Sequence, residues 1–232
     1  MTKIVILTGA GISAESGLGT FRDTDGLWSQ YRIEDVATPE AFARNPALVQ
    51  AFYNLRRDTA ARAQPNAAHQ ALARLQRDWR GDVVIVTQNV DSLHEVGGAT
   101  DVLHMHGTLA GALCGACNHR WTAPPSMAPD EPCPACAAPA ARPDVVWFGE
   151  MPYHMDEILT HLASADLFAS IGTSGEVYPA AAFVQDAHAS GARTIELNLE
   201  PSAVTSAFDD IRIGPASEAV PLWVDELLQK QN

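Results

Sequence analysis

The chain begins MTKIVILTGAGISAESG, and this stretch limits the fold more than any other. KIVIL has no polar face, so it reads as a strand buried on both sides, as in a parallel sheet covered by helices. A glycine turn follows at once, with Gly9, Gly11 and Ala14 at G-x-G-x-x-[GA] spacing before a short helix, the pattern of a dinucleotide-binding βα turn. A triphosphate-gripping loop would need G-x-x-x-x-G-K-[ST], but Gly17 is followed by Leu18 and Gly19, which disfavours ATP.

Further Val/Ile-rich runs recur at 82–87, 101–105, 166–172, 193–199 and 210–214, mostly separated by segments with helical spacing. The expected fold is a doubly wound α/β sheet. Asn45-Pro46 reads as a helix start and Asn66 as another, with Pro201 and Glu218 near the starts of two later helices. The 28 acidic against 15 basic residues give a net charge of -13, which argues against nucleic acid and suits either solubility or a cationic peptide partner. No apolar stretch approaches the roughly 18 residues that span a bilayer, so a cytoplasmic location with reduced cysteines is expected.

Residues 111–144 break the rhythm: they are proline-rich, weakly periodic and hold all four cysteines. Cys114 and Cys117 form one C-x-x-C pair and Cys133 and Cys136 another, with fifteen residues between. Two tight pairs present four thiolates to one tetrahedral ion, so one structural zinc is expected, with no open position for water. A redox dithiol would not need the second pair, and His119 reads as a solvated loop histidine.

Polar residues cluster at the carboxyl ends of the strands, where doubly wound sheets bind ligands. TQNVD places Gln88, Asn89 and Asp91 there, although Asn89 and Asp91 also suit helix capping. LHMHG places His104 and His106 on one face of a strand, with His106 nearer the crevice. IGTSG adds Gly172, Thr173 and Ser174, and ELNLEP adds Asn198 and Glu200.

In order along nearly the whole chain, GAGISAESG, TFR, TQNVD, HMHG, the two cysteine pairs, WFGE, GTSG and NLEP resemble the sirtuins, NAD-dependent protein-lysine deacylases. The resemblance implies a Rossmann-like NAD domain over 1–110 and 145–232, with a helical insertion at about 36–65 and a four-cysteine zinc module at 111–144. It implies that NAD contacts Gly9, Ala10, Gly11, Ala14, Thr20, Phe21, Arg22, Trp28, Gln88 and Val90. The adenosine side would meet Gly172, Thr173, Ser174, Asn198, Leu199, Glu200 and Ala216. Asn89 and Asp91 match the nicotinamide pocket and His106 the general base. In the implied reaction the acyl oxygen attacks C1′ of the nicotinamide ribose. His106 then activates a ribose hydroxyl, and free lysine, nicotinamide and O-acyl-ADP-ribose result.

By the same resemblance Val146 and Phe148 wall the acyl-lysine tunnel and Tyr178 lines its acyl end. Gly149 and Glu150 would lie on a strand that pairs with the peptide backbone, so acylated lysines of many proteins are the expected partners of a monomeric enzyme. Tyr53 and Arg56 stand three apart on the helix opened by Pro46. On spacing alone they read as a surface aromatic beside a solvated arginine, next to a buried stripe of Leu48, Phe52, Leu55 and Thr59. Tyr-x-x-Arg together with AESG nevertheless resembles the sirtuin class that removes succinyl and malonyl groups, the guanidinium binding the distal carboxylate. Activity on succinyl-, malonyl- and acetyl-lysine is therefore expected. An ADP-ribosyltransferase, a dehydrogenase and a catalytically silent zinc-ribbon binder are the rivals.

Overall fold

The structure is a computed structural model that describes residues 2–19 and 31–231. Its strands in chain order are β1 (Ile4–Thr8), β2 (Val83–Thr87), β3 (Leu103–His104), β4 (Gly107–Cys114), β5 (Arg120–Thr122), β6 (Ala141–Val145), β7 (Leu167–Ile171), β8 (Arg193–Asn198) and β9 (Asp210–Ile213). Its α-helices are α1 (Ala10–Ala14), α2 (Ile33–Val36), α3 (Pro39–Arg44), α4 (Pro46–Arg62), α5 (Ala67–Asp78), α6 (Leu93–Val96), α7 (Met155–Leu162), α8 (Phe183–Ala189) and α9 (Ala216–Lys230).

Six parallel strands run in the order β3-β2-β1-β7-β8-β9, the Rossmann-like doubly wound order, with its switch point between β1 and β7. The unbroken apolar run of β1 is explained by its two faces. Ile4 and Ile6 enter one core with Leu72 and Leu75 of α5 and Trp223 of α9, while Val5 and Leu7 enter the other with Ile158 of α7 and Phe183 of α8. A second, antiparallel sheet of order β5-β4-β6 carries the cysteines. Among the described residues its own core is Ala112, Met127 and Ala141, with Trp121 and Ala123 packed against it.

The helix starts form where expected. Asn45 accepts from Leu48 N at 3.1 Å with Pro46 in the first turn, and Asn66 and His69 form a reciprocal capping box. Pro201 opens no α-helix, because the chain there makes turns leading to a short 3-10 turn at Thr205–Ala207. The strand expected over 101–105 shrinks to Leu103–His104, since the chain must turn at Gly107 (φ 78°) into β4, where a Cβ would stand 2.2 Å from the Asp144 carbonyl. Gly149 and Glu150 do not lie on a strand: β6 ends at Val145 and they form a turn in which Glu150 N donates to Trp147 O.

The expected stripe on α4 is corrected as well. Leu55 is 44% exposed and Thr59 is exposed, while Val49, Gln50, Phe52, Tyr53 and Arg57 face inward against Leu109, Val145 and Trp147. Arg57 is a structural tie. Its Nε donates to Leu109 O at 2.8 Å, and its other nitrogens reach Asn54 Oδ1 and Met127 Sδ.

Candidate active site and cysteine centre

The glycine turn after β1 solves a packing problem first. Gly9 N donates to Ile171 O and Gly11 N to Gly172 O, which brings the loops after β1 and β7 into backbone contact. A Cβ on Gly9 would lie 2.8 Å from Gly172 O, and one on Gly11 would lie 2.7 Å from Gly172 Cα. Gly172 itself has φ 63°, and a Cβ there would lie 2.4 Å from Ile12 N. Side chains are excluded from all three places, so a ligand at this rim meets bare backbone.

Ala14 and Ala216 belong to the same neighbourhood, because the Glu15 carboxylate accepts from both Ser217 N (2.9 Å) and Ser217 Oγ (2.6 Å) in the first turn of α9. Asn198 ends β8 and its Nδ2 donates to Thr173 O at 2.7 Å. Gln88 and Thr173 line one cleft with Leu7, Ser170 and Gly175. Ser174 starts the loop beyond, while Leu199 (65% exposed) and Glu200 stand in solvent. Thr20, Phe21, Arg22 and Trp28 lie outside the described residues.

Behind β2 lies a buried polar network. Asn89 Nδ2 donates to Gly9 O and to Ser13 Oγ, both at 3.1 Å, which leaves its Oδ1 as the atom offered to a ligand. Ser13 Oγ donates to Asp91 Oδ2 at 3.2 Å, and Asp91 Oδ1 accepts from Leu93 N. Neither Asn89 nor Asp91 serves merely as a cap. Burial holds the Asp91 carboxyl above its usual range, against the Leu93 and Ser13 hydrogen bonds. His69 Nε2 lies 3.3 Å from Ser13 Oγ, and His94 Nε2 lies 2.9 Å from Thr8 Oγ1. Burial pulls both imidazoles down, His69 to about 4 and His94 to about 3. Ser13, His69 and His94 escaped the sequence reading, and only the capping position of His69 could have signalled one of them.

His104 and His106 bind consecutive carbonyls of the TQNVD segment. His104 Nδ1 lies 3.1 Å from Asn89 O, and His106 Nδ1 lies 3.1 Å from Gln88 O. A carbonyl can only accept, so each Nδ1 carries the proton. The two rings then diverge. His104 Nε2 lies 2.7 Å from Glu95 Oε1, and although burial opposes its charge, that carboxylate raises its pKa. Burial lowers the pKa of His106, leaving a neutral imidazole with an Nε2 lone pair.

Tyr53, expected at the surface on spacing, is 2% exposed and receives the Trp147 indole N–H on its hydroxyl at 2.9 Å. The Arg56 guanidinium sits 5.8 Å from the centroids of both Phe52 and Tyr53 and feels the charge of Asp91, so the two ends of the site adjoin. Val146 is tied to His106, its N donating to His106 O at 2.9 Å, and Phe148, 45% exposed, donates from N to Ala37 O. Tyr178 stands 71% exposed in the loop after β7.

The four cysteine sulfurs lie within 4.8 Å of one another, with Cys114–Cys136 at 3.7 Å and Cys117–Cys133 at 3.8 Å. Four thiolates about 2.3 Å from one tetrahedral zinc stand about 3.8 Å apart, whereas disulfide sulfurs stand at about 2.0 Å. The donor set thus fits zinc. Each pair is a tight knuckle: Ala116 N and Ala135 N donate to Cys114 and Cys133 Sγ, and left-handed Asn118 and Ala137 follow. His119 instead stacks on Trp121.

Fold and site together define a dinucleotide-binding α/β protein with a four-cysteine centre. The Sir2 family model matches residues 9–179. A relative named NAD-dependent protein deacylase, from Caulobacter vibrioides, is 56% identical over 232 residues, 98% of either chain. The chain belongs to the Sir2 family. Among solved structures it resembles a Sir2 homologue–NAD complex, with 38% identity and TM-score 0.92 over 99% of this chain and 91% of that one. It also resembles a Sir2 variant with deacetylated p53 peptide and 3′-O-acetyl ADP-ribose, with 26% identity and TM-score 0.83 over 96% and 92%. Among the described residues no helix is long and apolar enough to cross a membrane.

Proposed function

We propose that this protein is an NAD-dependent protein-lysine deacylase that removes acetyl, succinyl and malonyl groups, with His106 as its base. The single observation that carries the reading is the imidazole of His106, fixed through Nδ1–H on Gln88 O, the carbonyl just before Asn89, and kept neutral by burial at the sheet rim. Bound NAD would supply a ribose whose anomeric carbon becomes electrophilic as nicotinamide departs. Gly9, Ala10, Gly11 and Ala14 would give backbone access to the pyrophosphate. Gln88, Val90, Gly172, Thr173, Ser174, Asn198, Leu199, Glu200 and Ala216 would hold the ribose and adenosine. Asn89 Oδ1 and Asp91 would orient the carboxamide, and His106 Nε2 would take a ribose hydroxyl proton. Complexes of Sir2 relatives with NAD and with acetyl ADP-ribose plus peptide support the assignment.

Tyr53 and Arg56 would read the acyl end, with Val146, Phe148 and Gly149 along the lysine and Tyr178 at the mouth. Cys114, Cys117, Cys133 and Cys136 would hold a structural zinc within a module over 111–144, set in an NAD domain of 1–110 and 145–232. Acylated lysines on many proteins would be the partners of a monomeric, cytoplasmic enzyme.

The test uses matched acetyl-, malonyl- and succinyl-lysine peptides with NAD, read by mass spectrometry. One O-acyl-ADP-ribose and one nicotinamide per lysine freed are expected, with turnover lost in His106→Tyr. ADP-ribose on the protein or peptide instead would indicate transfer, and turnover that survives His106→Tyr but not His104→Ala would reassign the base. Arg56→Met should lower desuccinylation by about tenfold or more relative to deacetylation, the scale of a charged hydrogen-bonded pair.

A further inference from the structure

The hydroxyl of Tyr53 has a partner to which the sequence motifs assign no role. Trp147 Nε1 donates to it at 2.9 Å, and both side chains are 2% exposed. Trp147 is itself held from three directions. Its backbone N donates to Glu150 Oε2 at 2.8 Å, and the Arg142 guanidinium lies 3.5 Å over its ring. Arg142 in turn grips Glu150 with two bonds of 2.6 and 2.8 Å and donates to Val145 O at 2.9 Å. Burial disfavours the Glu150 charge, but the Arg142 and Trp147 hydrogen bonds outweigh it and keep the carboxyl below its usual range. The indole is therefore clamped between a partly buried ion pair and α4.

A phenol has one O–H and two acceptor positions, whereas an indole N–H and a guanidinium only donate. With Trp147 donating into the Tyr53 oxygen and Arg56 as its other polar neighbour, neither can receive the phenolic proton. Among the described residues the Tyr53 hydroxyl donates to none, and both oxygens of nearby Glu150 are engaged by Arg142 and Trp147. The proton is left for an acceptor that enters the pocket. A terminal carboxylate provides one, and an acetyl methyl does not.

We propose that Trp147 is a positioning residue for acyl selectivity, its indole N–H turning the Tyr53 hydroxyl into an outward donor that joins Arg56 on the distal carboxylate of the acyl group. This rests on the reading of Tyr53 and Arg56 as the acyl pocket. Because Arg142 lies on β6, the segment leaving the cysteine module holds the discriminating hydroxyl, and selectivity is shared between α4 and the loop after β6.

Trp147→Phe keeps a buried ring and deletes the N–H. With peptides of one sequence, the succinyl-to-acetyl ratio of kcat/KM should fall about five- to tenfold, mostly through KM for the succinyl peptide, as for loss of one hydrogen bond of about 1 kcal/mol. Tyr53→Phe should lower the ratio further, and adding Trp147→Phe to it should change the ratio by less than twofold, because the indole acts through the phenol. A merely structural role would lower both activities together. An unchanged ratio, or additive losses in the double variant, would overturn the proposal. Should Trp147→Phe lower the melting temperature enough to blur the assay, benzothienylalanine at the same position keeps the bicyclic shape without the donor and must give the same fall in ratio. Arg56→Met separates the two claims. If it leaves the ratio unchanged, the pocket reading itself fails; if it lowers the ratio while Trp147→Phe does not, only the role of Trp147 fails.

Discussion

His104 and His106 are separated by one methionine, and each donates its Nδ1–H to a neighbouring carbonyl, yet among the described residues one ring has a carboxylate partner and the other does not. That difference supports the proposed choice of His106 as the base. A base must be neutral, and the His106 pKa lies below its ordinary value of about 6.5. The activity should therefore be level from pH 7 to 8, and the acid limb of kcat/KM should bend below pH 6.5, as read from a pH–rate profile; a limb centred above 7 would contradict the burial argument. The clustering of Asn89, Asp91 and His106 at neighbouring strand ends could be read from the sequence, because each follows a hydrophobic run. The partners Ser13, His69 and His94 were not, since Ser13 and His69 lie 56 residues apart and Thr8 and His94 lie 86 apart, and only the packing of α5 and α6 brings them together. Tyr53 looked exposed for the same reason: the sheet that buries it is formed by residues far along the chain.

At the scale of elements, hydrophobic runs located the inner strands well because β1, β7 and β8 are covered on both faces. They overran at β3, where the turn at Gly107 ends the strand, whereas the strand that the resemblance implied at 149–150 is a turn in which the Glu150 carboxylate folds back on Trp147 N and Arg142. The glycine turn was legible as a pattern and Gly172 as a candidate, but the contact between them was not, since it joins two loops across the switch point. Gly172→Ala combines a φ of 63° with a Cβ 2.4 Å from Ile12 N. It should cost about 2–3 kcal/mol and lower the melting temperature by roughly 5 °C or more, with NAD affinity falling alongside. Gly17→Ala, which meets nothing within 4 Å but has φ 84°, should cost less, so calorimetry of the pair separates close approach from backbone strain.

For the molecule as a whole, the buried imidazoles set the acid limit. His69 and His94 are depressed in the fold, to about 4 and about 3, and return to about 6.5 when unfolded. Between those values the unfolded chain binds more protons, so stability rises with pH across the window and is lost as pH falls from 6.5 toward 3–4. Denaturant midpoints measured from pH 7 to 4 should decline, and His94→Gln should flatten that decline. Its removal also deletes a buried nitrogen, Nδ1, that has no hydrogen-bond partner among the described residues. The fold class and the cysteine centre were legible from spacing alone, because βα alternation and paired thiols each have one economical arrangement.

The clasp made by Arg57 bears on how a bulky substrate gets in. Its guanidinium fastens α4 to the β4 backbone at Leu109 and to Met127, and Gln50 of the same helix holds Ala141 O. The two segments inserted into the sheet are thus riveted to each other, and widening the proposed acyl-lysine tunnel would swing them as a single jaw against the sheet rim. Gating would then reside in the few connections that leave that jaw, so a lesion in one inserted segment would be felt as sluggish opening in both.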